Sequence, residues 1–153
     1  MSGPGKVILN WKLKEACKEG NLYDVVRFIQ NGADVNAKGV LIIDPWTALH
    51  FASEQGHLGI VKYLIKKGST VDTKDICDWT PLHMASKNGH LDVVKYLCKT
   101  GADSEEKTLD CRTPLDIALI NGHRNVVNYL KRKNSFTSKR KIRFQDDKQC
   151  HVS

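Results

Sequence analysis

Thr80-Pro81-Leu82-His83-Met84-Ala85-Ser86-Lys87-Asn88-Gly89-His90-Leu91-Asp92-Val93-Val94 is the stretch whose reading decides the fold. A period of 33 residues ties it to its neighbours: Thr47-Ala48-Leu49-His50, Gly56-His57 and Ile60-Val61 precede it in phase, and Thr113-Pro114-Leu115-Asp116, Gly122-His123 and Val126-Val127 follow. A repeat of that length marks one supersecondary unit stacked on copies of itself, so the chain is a linear array. Within a unit, Thr80 can accept hydrogen bonds from the free amides of a first helical turn, and Pro81 sits where no amide is needed. The pattern predicts a short helix from about Pro81 to Asn88, a left-handed turn at Gly89, and a second helix from about Leu91 to Lys99. Val93, Val94 and Leu97 point inward on that second helix. Gly32, Gly68 and Gly101 close successive units, and Asn134 holds the same phase.

Thr-Pro-Leu-His, then Ala, Gly-His, Val-Val-x-x-Leu and Gly-Ala-Asp together resemble the ankyrin repeat. The resemblance covers roughly residues 10–134. It implies an all-α solenoid of stacked helix-turn-helix units joined by β-hairpin finger loops. We divide the array into a capping repeat at 10–38 and further repeats at 39–74, 75–107 and 108–134, with an N-terminal extension at 1–9 and a basic tail at 135–153. The first unit keeps Gly20-Asn21-Leu22, Val25-Val26 and Gly32-Ala33-Asp34. Its first helix should place Lys12, Lys14, Lys18 and Glu19 in water, as an end cap requires. His50, His57, His83, His90 and His123 recur with the period, so we read them as hydrogen-bonding residues of the repeat and not as metal ligands.

The net charge of +7 is unevenly placed. Residues 1–130 hold 16 Lys/Arg and 15 Asp/Glu, whereas residues 131–153 hold 8 Lys/Arg and 2 Asp. The array is nearly neutral and the basicity belongs to the tail. No apolar run approaches a membrane span and no signal peptide opens the sequence, so an intracellular, cytoplasmic protein is expected. The 5 cysteines include no Cys-x-x-Cys pair, which suggests reduced thiols. No nucleophile elbow, zinc-protease motif or phosphate loop is present, and an array spreads its acids and histidines over separate units. We therefore expect no enzyme activity, no cofactor and no metal, and a monomeric array that binds a protein partner.

In ankyrin-like arrays the contact surface is the concave one. Carried over by position, that surface comprises the fingertip residues Ile43, Trp46, Ile76, Trp79, Leu109 and Arg112, and the helix residues Glu54, Gln55, Lys87 and Asn88. Trp46 and Trp79 share a phase with Arg112, and tryptophan and arginine are enriched among binding hot spots. The alternative is that each tryptophan lies flat against its own finger and stabilises the hairpin. The first finger is three residues longer and carries the apolar run Val40-Leu41-Ile42-Ile43. It also has Pro45 where the family commonly has a turn glycine. Residues 135–153 should be largely disordered alone. The sequence finishes Cys150-His151-Val152-Ser153, which resembles a prenylation box, with His151 departing from the aliphatic rule. Lipid at Cys150 beside Lys139, Arg140, Lys141 and Arg143 would supply two membrane signals. The alternative is nuclear import, with the array as a regulatory subunit. Only Phe136 and Phe144 interleave these cations, so nucleic acid is not the expected partner.

Overall fold

The computed structural model describes residues 3–39 and 45–141, with side chains through residue 138. Eight helices and no strand occur among the described residues: α1 (Pro4–Glu19), α2 (Leu22–Gln30), α3 (Ala48–Gln55), α4 (Leu58–Lys66), α5 (Pro81–Lys87), α6 (Leu91–Lys99), α7 (Pro114–Ile120) and α8 (Arg124–Lys141). α1, α3, α5 and α7 pack side by side as an inner layer, and α2, α4, α6 and α8 form the outer layer behind them. This is the expected repeat solenoid.

The core repeats as the sequence does. Leu64, Leu97 and Leu130 are fully buried in one phase, and Ala52, Ala85 and Ala118 in another. The leucines fill the space between layers, each contributing roughly 1.5–3 kcal/mol of burial. The alanines let successive inner helices approach closely. Neither layer could hide its apolar stripe without the other, so stacking stabilises every helix of the array.

Thr80 and Thr113 cap their helices as predicted. Each side chain accepts from the amide three residues on, at His83 and Asp116, and the side chain at that residue accepts from the cap amide in return. Histidine does more than close this box. Thr47 N donates to His50 Nδ1 at 3.1 Å, so the ring must carry its proton on Nε2, which donates to Trp79 O at 3.0 Å in the next unit. His83 repeats the arrangement with Thr80 N and Arg112 O. A second set points the other way: His57, His90 and His123 place Nε2 3.3, 2.8 and 2.8 Å from the carbonyls of Lys18, Glu54 and Lys87 in the preceding units. The ring of His90 lies against Gly56, where a Cβ would sit 2.5 Å from Nδ1. Gly56 thus serves both a left-handed turn, at φ 76°, and a close approach.

Three expectations require correction. The first helix starts at Pro4, six residues ahead of the expected array start at residue 10, because Gly3 precedes a proline that suits the first helical position. Lys14 is buried at 5% exposure and does not face water. It occupies in the first unit the phase that His50 holds in the second, which faces the following unit. Asn134 does not end the last helix. α8 runs through Lys141, so residues 135–141 are helical where disorder was expected. No glycine or proline interrupts this stretch, and Thr137 Oγ1 bonds back to Asn134 O at 2.9 Å. Cys17, Cys77 and Cys98 are free thiols, as the reduced reading expects.

Candidate interaction surface

The two fully described fingers are closed by tight turns and, among the described residues, form no β-ladder. Asp75 N bonds to Trp79 O at 3.0 Å, and Thr108 N to Arg112 O at 3.0 Å. Asp78 and Cys111 occupy the turn position in a left-handed conformation, with φ of 60° and 59°, without being glycine. Aspartate tolerates that region better than most residues. Pro45 shares their phase, and a proline ring fixes φ near −65°, so the first finger cannot use the same turn.

Asp75 organises the middle finger, a role that hydrophobic patterning did not reveal. Its Oδ1 accepts from Cys77 N and Trp79 N, both at 2.8 Å, and its Oδ2 accepts from Trp46 Nε1 of the preceding unit at 3.0 Å. An aspartate two to four residues before the amides it serves is a recognisable turn signal. Trp46 is half-buried, stacked on His50 and tilted against Phe51, with ring centroids 6.2 and 5.0 Å away. It therefore joins two fingers. Trp79 is also half-buried, with the Lys87 ammonium 5.8 Å above its ring. This brings together a finger base and the end of an inner helix, two of the predicted residues.

The exposed apolar groups lie further out. Ile76 and Leu109 are 60% and 64% exposed at the same position of adjacent fingers, which Leu109 N joins by a 3.0 Å bond to Cys77 O. Gln55, Lys87, Asn88 and Arg112 are exposed and Glu54 is half-buried. Asn88 is partly engaged in holding units together, its side-chain amide donating to Glu54 O at 3.1 Å. Ile120, also exposed, continues the phase of Glu54 and Lys87 at the end of α7. Ile43 and the run Val40–Asp44 lie outside the described residues, as do Arg143 and Cys150.

Burial keeps the histidines beneath the fingers neutral. Burial pushes His50 down to about 4 and lowers His83 as well, against partial compensation from the carbonyls they bond. Lys74 is raised by its bond to Glu106, 2.9 Å away. Among the described residues no cluster of three or more His, Cys, Asp or Glu could hold a metal, and no helix is long and apolar enough to cross a membrane.

The family model described as ankyrin repeats (3 copies) matches residues 13–108 and 72–141. The chain belongs to the ankyrin repeat family. Human ankyrin repeat domain-containing protein 40 is similar, at 34% identity over 58 residues, which cover 38% of this chain and 15% of that protein. The mouse protein of the same name is 33% identical over 58 residues, with the same coverage. The match spans only a small part of these relatives' length. Ankyrin repeats form protein–protein interaction modules.

Proposed function

We propose that this protein is a non-catalytic adaptor that holds a protein partner across its fingers and inner helices. The observation that carries the reading is the pair Ile76 and Leu109, large aliphatic side chains left in water on neighbouring fingertips. Contiguous exposed apolar groups on a protruding edge mark contact surface. Lys87 over Trp79, and exposed Arg112, supply the aromatic and cationic anchors that commonly dominate binding energy. Placing a photo-crosslinking residue at position 76 of the full chain, followed by mass spectrometry, identifies the partner. Ile76→Asp with Leu109→Asp should then weaken that partner at least about tenfold, the loss expected on removing central anchors. An unchanged affinity would show that the partner docks elsewhere.

The basic residues support a further element, placement of the array at an anionic membrane surface. Lys131 to Lys133 and Lys139 to Lys141 belong to the one helix α8, and each cation near an anionic leaflet contributes about 1 kcal/mol. Import into the nucleus is the alternative. Neutralising Lys139, Arg140 and Lys141 to Gln and fractionating cells separates them: loss from the membrane fraction supports the first, loss from the nucleus the second, and an unchanged distribution removes both.

A further inference from the structure

The outer layer carries a basic track that the finger surface does not use. Lys62 and Lys95 share one phase, and Lys66, Lys99 and Arg132 another, all exposed on α4, α6 and α8. Lys62 Nζ lies 5.6 Å from the ring centre of Tyr96, and Lys95 Nζ 6.0 Å from that of Tyr129, so each lysine covers the tyrosine of the next unit. At the end of this track the continuation of α8 past Asn134 adds Phe136 to the wall of an open groove between α6 and α8, with a volume of about 520 Å³. Leu91, Tyr129 and Phe136 are its apolar lining, Lys95, Arg132 and Lys133 its cations, and Asn125 and Asn128 its amides. No carboxylate lines it, and among the described residues none of the three cations is in an ion pair.

We propose that this groove binds an acidic, extended peptide segment of another protein bearing one apolar side chain, at a site separate from the fingers. Three cations without carboxylate partners attract negative charge to one end of the outer layer. Side-chain amides offer a donor and an acceptor each, which is what an extended peptide backbone requires. Phe136 is 73% exposed and has surface left to cover. A flat bilayer would engage the whole basic track and cannot enter a concave groove. Single-stranded RNA would stack successive bases on a row of aromatic faces, and with Lys95 over Tyr129 the groove leaves only that of Phe136.

The test uses the full chain and a short fluorescein-labelled peptide of Asp, Glu and Gly with one central Leu, followed by fluorescence anisotropy. Lys95→Glu and Arg132→Glu should each weaken binding at least about tenfold, and Phe136→Ala several-fold, with unchanged far-UV circular dichroism. Lys62→Glu, on the same layer outside the groove, should change affinity less than about twofold. Equal binding of the peptide with Leu replaced by Gly, or equal losses for Lys62→Glu and Arg132→Glu, would reduce the site to unspecific charge and overturn the proposal. So would tighter binding to phosphatidylserine vesicles or poly(U) through these same residues, or self-association that Phe136→Ala abolishes. Because Ile76 and Leu109 play no part, failure here leaves the finger surface untouched.

Discussion

Gly56→Ala and Gly68→Ala separate backbone strain from the close packing of units. Both glycines have positive φ, 76° and 96°. Placing an L-residue in the left-handed region costs about 1–2 kcal/mol, and 96° lies further than 76° from the minimum near +57°. Strain alone therefore makes Gly68→Ala at least as damaging. Packing reverses the order. A Cβ at position 68 meets nothing within 4 Å, whereas one at position 56 sits 2.5 Å from His90 Nδ1. The ring cannot retreat without giving up its 2.8 Å bond to Glu54 O. Asn88 also serves that carbonyl, so the loss is one net hydrogen bond of about 1 kcal/mol, together with the displaced ring contacts. We expect Gly56→Ala to cost about 3 kcal/mol and Gly68→Ala about 1.5 kcal/mol. Equilibrium urea unfolding followed by far-UV circular dichroism measures both. In a His90→Ala background the Gly56→Ala cost should fall to the Gly68→Ala level. Equal costs for the two single variants, or a penalty that survives removal of the ring, would refute the argument.

Acid should loosen the array through its capping histidines. The unfolded chain binds a proton near pH 6.5 that folded His50 refuses until about 4, so stability falls as pH drops through this interval. Each pH unit of displacement corresponds to about 1.4 kcal/mol, so His50 accounts for a loss of roughly 3 kcal/mol, with His83 acting in the same direction. Urea midpoints that stay level between pH 7 and pH 4.5 would contradict this. Trp46→Phe keeps the ring but removes its bond to Asp75, and should cost about 1–2 kcal/mol by urea unfolding; a negligible change would mean the two fingers are not joined there. Burial pushes the thiols of Cys17 and Cys98 up to about 12 and about 11, whereas Cys77 is exposed. A thiol reagent at mildly alkaline pH should therefore label Cys77 at once, and Cys17 and Cys98 only as the fold opens.

The sequence determined the interior of each unit more fully than the contacts between units. Thr80-Pro81 and Gly89 located α5 to within a residue, and the apolar spacing of Val93, Val94 and Leu97 placed α6, because caps and periodicity are local properties. The bond from Trp46 to Asp75 spans 29 residues and depends on how one finger leans on the next, which no local pattern encodes. Lys14 was misplaced for a related reason: a lysine is normally solvated, and only alignment with His50 shows that its position faces a neighbour. Of the surface residues, Ile76 and Leu109 came from the family resemblance by position, and the half-burial of both tryptophans was one of two readings the sequence left open. The groove beside Phe136 could not be anticipated while residues beyond Asn134 were expected to be disordered.

Histidine at the third helical position ties its own unit to the one that follows, and Asp116 takes that place in the last unit. Its carboxylate still serves Thr113 N and Oγ1, at 2.9 and 2.8 Å, but makes no reach across a boundary. Units two and three are therefore tied to both neighbours, while unit four is tied only to the unit before it, by His123 on Lys87 O and by His83 on Arg112 O. Under mechanical load α7 and α8 should give way before α5 and α6. Amide exchange in those two helices should likewise outpace that in α5 and α6.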